Sequence, residues 1–104
     1  MKPKTSEKNL EKYFVAQIKK RGGRAIKMDG SIMAGIPDRL VLMPQGFVAF
    51  AELKTSIGRK SAIQEHTQGL IKALGVRVTT LYGRLQVDDY LAELDAFLEE
   101  LSDD

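Results

Sequence analysis

The stretch Gly35–Lys54, GIPDRLVLMPQGFVAFAELK, decides the fold. Arg39 to Met43 is nearly all apolar. Phe47 to Lys54 is apolar at both alternating sets of positions, as a central strand covered on both faces would be. Between them Pro44-Gln45-Gly46 reads as a turn, with Pro at its second position and Gly where a positive φ is needed. A hairpin centred on Gln45 places Asp38 opposite Glu52, because each lies seven residues from the centre. Glu52 and Lys54 project from one face of the second strand and Leu53 from the other.

The rest of the chain builds outward from this hairpin. Ser6 to Gly22 is a helix: Ser6 is the N-cap, Leu10, Phe14 and Ile18 recur at helical spacing, and Gly22-Gly23 stops it. Arg24 to Asp29 alternates as a short edge strand. After the basic loop Thr55–Lys60, Ser61 caps a second helix over Ala62–Leu74 that Gly75 ends. Val76 to Leu81 is a β-branched strand, expected to return in parallel through a right-handed crossover. Tyr82-Gly83-Arg84 turns the chain. Val87, Tyr90, Leu91, Leu94, Phe97, Leu98 and Leu101 then form the apolar stripe of a last helix, about residues 86–101. The order αβββαβα predicts one α/β domain over residues 1–104, with helices around a small mixed sheet.

Composition narrows the chemistry. With no cysteine there is no disulfide, thiolate zinc site or cysteine nucleophile, and His66 alone cannot make a histidine metal cluster. Catalysis, if present, falls to carboxylates and lysines. No apolar run nears the roughly 18 residues of a membrane span, and the basic Met1–Lys4 leads into charged, periodic sequence, so neither a span nor a signal peptide is expected. Residues 1–60 carry 13 Lys/Arg against 5 Asp/Glu, and residues 61–104 carry 3 against 9. A basic first part with an acidic tail fits an anionic partner approached from one side, and also an ordinary solvated surface.

Two carboxylates facing each other across a hairpin repel, which is a poor arrangement for stability alone. A divalent cation turns that repulsion into attraction, and an oxygen-only ligand set suits Mg²⁺ or Mn²⁺ better than zinc. Such an ion makes hydroxide available near neutral pH and stabilises charge on a phosphate, with Lys54 placed to orient water or touch a phosphate oxygen. The plain alternative is a structural Glu52–Lys54 pair with Asp38 as a loop residue.

Asp38 after Pro37, followed by Glu52-x-Lys54, resembles the PD-(D/E)XK nuclease superfamily. Together with Gly35-x-Pro37-Asp38, the short hairpin and Ser61-Ala62-Ile63-Gln64, the chain resembles the VRR-NUC family over about residues 7–90. That resemblance implies a restriction-endonuclease-like αβββαβ core plus a C-terminal helix, and a metal-dependent phosphodiesterase. It implies Asp38, Glu52 and the Leu53 backbone carbonyl as ligands of Mg²⁺ or Mn²⁺, Lys54 as the residue positioning the attacking water, and Gln64 near that water or the scissile phosphate. It also implies a carboxylate from the first helix. Glu11, eleven residues before Gly22 as in related archaeal Holliday-junction resolvases, is preferred to Glu7.

The implied substrate is branched or double-stranded DNA, such as a Holliday junction, cut by a homodimer in the cytoplasm (of the host, if phage-encoded). Lys19, Lys20, Arg24, Lys27, Arg39, Arg59 and Lys60 are the expected nucleic-acid contacts, with Arg21 a further candidate. Arg59-Lys60 precede a helix N-terminus, where backbone amides also favour phosphate. Such contacts position DNA without reading bases, so recognition by shape is expected. A non-catalytic nucleic-acid-binding module, an interaction domain within a larger assembly, and a nicking or flap nuclease are the competing expectations. The last helix is expected either to cover its own sheet or to add to a dimer interface.

Overall fold

A computed structural model describes residues 6–103; the Met1–Lys4 segment lies outside the described residues. The elements are α1 (Glu7–Lys20), β1 (Arg24–Lys27), β2 (Arg39–Leu42), β3 (Val48–Lys54), α2 (Ala62–Ala73), β4 (Val78–Tyr82) and α3 (Gly83–Ser102). The strands form one mixed sheet in the order β1-β2-β3-β4, the first two pairings antiparallel and the last parallel. The expected αβββαβα order, edge position of β1 and parallel return of β4 are all present.

The register is the one expected from the turn. Arg39 pairs with Ala51 and Leu42 with Val48, so continuing the ladder by one residue sets Asp38 against Glu52. The turn holds one difference from expectation. Pro44 opens it and Gly46 (φ 79) has the expected positive φ, but Gln45 (φ 65) is left-handed as well. This left-handed pair matches the twist of a tight hairpin. A second difference lies at Tyr82-Gly83-Arg84, where no separate turn intervenes. Gly83 (φ +81) redirects the chain in one residue, so α3 starts earlier than its apolar stripe suggested. Gln86 Oε1 accepts the Tyr82 N–H at 2.9 Å in place of an N-cap side chain.

The two faces of the sheet are covered differently. Leu10, Phe14 and Ile18 of α1 and Val87, Leu91 and Leu94 of α3 pack with Val41, Ala51, Leu53 and Leu81 into one buried apolar cluster. The stripe of α3 is therefore used inside its own domain. Arg21 ties the two helices with a forked pair to Asp95, at 2.7 and 3.0 Å. On the opposite face lies α2, whose buried residues are Thr67 and Gln68 rather than aliphatics. That polar underside is where the sheet carries Glu52.

Candidate active site

Each side chain of the site is placed by a local feature of the sequence. Ser61 Oγ accepts the Gln64 N–H at 3.3 Å, and Gln64 Oε1 accepts the Ser61 N–H at 2.9 Å, a reciprocal cap that fixes the first turn of α2. Gln64 then points its amide at the sheet: Nε2 donates to Glu52 Oε2 at 3.1 Å. One turn on, Gln68 Nε2 donates to Glu52 Oε1 at 3.0 Å. Both oxygens of a fully buried carboxylate are thus held by amides four residues apart on one helix face. Lys54 Nζ stands 3.4 Å from Glu52 Oε2, on the same strand face.

Asp38 reaches the same place from the loop before β2. Its carbonyl accepts the Met28 N–H at 2.8 Å, extending the β1–β2 pairing. Its Oδ2 accepts the Leu53 N–H at 2.8 Å. Gly35 lets the loop come down on α2. Its φ is +83, and a Cβ there would lie 2.8 Å from Thr67 Oγ1 and closer still to the Ile63 carbonyl. Thr67 Oγ1 donates to the Ala34 carbonyl at 2.6 Å and closes this contact. The Gly-x-Pro-Asp spelling therefore has a steric meaning: glycine for the close approach, aspartate at the end of the ladder.

Proline has a meaning too. In a strand the N–H and C=O of one residue point to the same side, and Leu53 directs its N–H toward Asp38. The register assigns Pro37 to the place opposite Leu53, and proline has no N–H to give. The Leu53 carbonyl is left without that ladder donor, beside the two carboxylates.

Electrostatically the pair is poised. Burial pushes the Glu52 carboxyl up from 4.5 to about 7, and the nearby Asp38 charge pushes the same way, while Lys54 only partly offsets them. The half-buried Asp38 carboxylate acts on the buried Glu52, so two carboxylates share this corner of the sheet with a single ammonium. A site of this kind fits a divalent cation: hard oxygen donors, unfavourable mutual charge and a carbonyl beside them.

No protein-family model matches the chain. A curated phage protein, "Putative nuclease p44" of Acyrthosiphon pisum secondary endosymbiont phage 1, is 35% identical over 75 residues, covering 72% of this chain and 81% of that protein. A solved structure described as a VRR_NUC domain superposes with a TM-score of 0.78 at 26% identity, over 85% of this chain and 96% of its own. The chain belongs to the VRR-NUC family.

Not every residue expected at a VRR-NUC site converges. Glu11 stands apart from the Asp38–Glu52 pair, with its carboxylate 3.4 Å from Arg39 Nη2. Among the described residues no three acidic or histidine side chains gather as a metal-ligating group. Glu7 is an exposed residue of the first turn of α1. Of the expected nucleic-acid contacts, Lys60 lies close by: its Nζ donates to Thr80 Oγ1 at 3.3 Å, and Thr80 is the β4 partner of Glu52. Lys19, Lys27 and Arg39 line a separate cleft on the other side of the sheet. Lys20, Arg24 and Arg59 are exposed. His66 is exposed on α2. Gln68, one turn after Gln64 on the same helix face, is a further site residue: its spacing is the only signal in the sequence, and the structure shows it buried and bonded to Glu52.

Proposed function

We propose that this VRR-NUC protein is a Mg²⁺- or Mn²⁺-dependent endonuclease hydrolysing phosphodiester bonds in branched DNA such as Holliday junctions. The observation that carries this reading is the register that sets Asp38 against the buried Glu52 at one end of the sheet, with Lys54 3.4 Å from Glu52. Asp38, Glu52 and the Leu53 carbonyl would hold the ion. A cation bound there acidifies water and neutralises charge developing on the phosphate. Gln64 and Gln68 keep the Glu52 oxygens aimed, so the carboxylate need not reorganise during reaction. Lys54 orients the attacking water toward phosphorus. Lys60, over Thr80, offers a cation to a neighbouring phosphate oxygen.

Two cuts on opposed strands of a junction require two sites, so a two-fold dimer is part of the proposal. The stripe of α3 lies within the monomer core, so the pairing surface is not that helix face. Light scattering on the purified chain should give twice the monomer mass.

The decisive assay is cleavage of a labelled four-way junction beside a linear duplex, with Mg²⁺, with Mn²⁺ and with EDTA. Cleavage should need the metal and favour the junction. Glu52→Gln should abolish it, and Lys54→Ala should slow it by about 10²–10⁴-fold. Equal cutting in EDTA, or full activity in both variants, refutes the reading. Junction binding without cleavage in any metal would leave a non-catalytic binding module.

A further inference from the structure

A cleft on the α1 side of the sheet is not accounted for by the carboxylate pair. Its walls are Lys8, Glu11, Lys12 and Lys19 from α1 and Lys27 and Arg39 from the edge of β1 and β2. Five cations thus surround one carboxylate. Lys8, Lys12 and Lys19 fall at i, i+4 and i+11, close to one line along the helix, and span about 16 Å of its axis. That is the length of about five nucleotide steps at ~3.4 Å each along one strand.

The interior of the cleft is under-compensated. Arg39 is largely buried, with its side chain 14% exposed, and its sealed-in Nε has no hydrogen-bond partner among the described residues. Its Nη1 donates to the Ala25 carbonyl at 3.2 Å, and its only counter-ion among the described residues is Glu11 at 3.4 Å. A guanidinium whose outer Nη2 holds only one loose carboxylate matches the charge and the acceptor oxygens of a phosphodiester. Arg39 follows Asp38 directly, and the two project to opposite faces of the sheet end.

We propose that this cleft seats the sugar–phosphate backbone of the DNA, with Lys12, Lys27 and Arg39 as phosphate ligands. Glu11 is the internal counter-ion that occupies the place of a phosphate at Arg39 until one arrives. This rests on the nucleic-acid reading above, and it gives Glu11 a role distinct from metal ligation.

The test is fluorescence anisotropy of a labelled junction with the full chain in EDTA, where binding is measured without cleavage, over a salt series. Lys12→Ala/Lys27→Ala should weaken binding at least about tenfold and lower the log–log salt slope by about 2, at roughly 0.9 for each phosphate no longer neutralised. Glu11→Gln should tighten binding severalfold, because Arg39 is then free for phosphate. Lys72→Ala, a cation on α2 away from the cleft, should change affinity less than about twofold.

Junction binding that is unaltered in the lysine pair, or an affinity that is unchanged or lower in Glu11→Gln, overturns the cleft proposal while leaving the nuclease reading intact. Loss of Mn²⁺ binding in Glu11→Gln, read by calorimetry, would return that residue to the metal. Polyglutamate competing as well as DNA would reassign the cleft to an acidic protein segment. No binding of wild type at low salt would sink both readings.

Discussion

The two faces of the sheet solve opposite problems. Under α1 and α3, leucine, isoleucine, valine and Phe14 close an apolar cluster. Under α2, a carboxylate is fully buried, and two glutamines and a threonine occupy the places where aliphatics would seal a core. Ile63, Leu70 and Leu74 of that helix are meanwhile exposed. The first face supplies stability. The second gives up stability to hold Glu52 still and close to Asp38.

The largest effect that separates the faces is on stability. Phe14→Ala should cost about 3–5 kcal/mol in urea unfolding, as expected for a buried ring in a filled core. A cost below about 1 kcal/mol would mean that the cluster is not the foundation of the fold.

Next comes pH. The Glu52 carboxyl is raised in the folded state from 4.5 to about 7, so the native state binds its proton more tightly than the unfolded chain does. The contribution is complete below about pH 4.5, declines as pH rises, and is gone above about pH 7; its size is on the order of 3 kcal/mol. Metal-free protein should accordingly lose stability between those limits, and Glu52→Gln should flatten the profile and be the more stable protein at pH 8. A wild-type profile that rises over this window contradicts the account.

Gln68→Met tests the polar face without changing side-chain volume much. Gln68 Oε1 is buried and unpartnered, so the amide is poorly used for stability, and unfolding should shift by less than about 1.5 kcal/mol. Cleavage should nevertheless fall by about 10–100-fold, because Glu52 Oε1 loses the donor that orients it. Unchanged cleavage would show that the bond is incidental.

The smallest effect concerns Gln64, which both caps α2 and holds Glu52. Gln64→Ala should lose about 1 kcal/mol and activity together. Gln64→Glu keeps a side chain suited to the reciprocal cap, so stability should return to within about 0.5 kcal/mol of wild type while cleavage stays impaired by a third carboxylate at the site. Recovery of both would separate Gln64 from the chemistry.

Much of this architecture was legible in the amino-acid order because it is local. The turn around Gln45 sets the β2–β3 register by counting, and the register alone brings Asp38 to Glu52. Helix caps at Ser6 and Ser61 follow from hydrogen bonds within three residues. What was hidden depends on partners distant in sequence. Glu11 flanks the buried Leu10–Phe14–Ile18 stripe, so its helix face left its partner open, and the cation that claims it comes from β2. Gln68 is indistinguishable from a surface glutamine until Glu52 is placed beneath it. Gly83 reads equally as a turn or a helix start, and its left-handed φ makes the turn at the residue where α3 begins.

The central claim is best met by diffraction from a Mn²⁺-soaked crystal with anomalous data. The expected result is a peak about 2–2.3 Å from oxygens of Asp38, Glu52 and the Leu53 carbonyl, absent from Glu52→Gln crystals. Peaks found only elsewhere, with the two carboxylates unmoved, would contradict it.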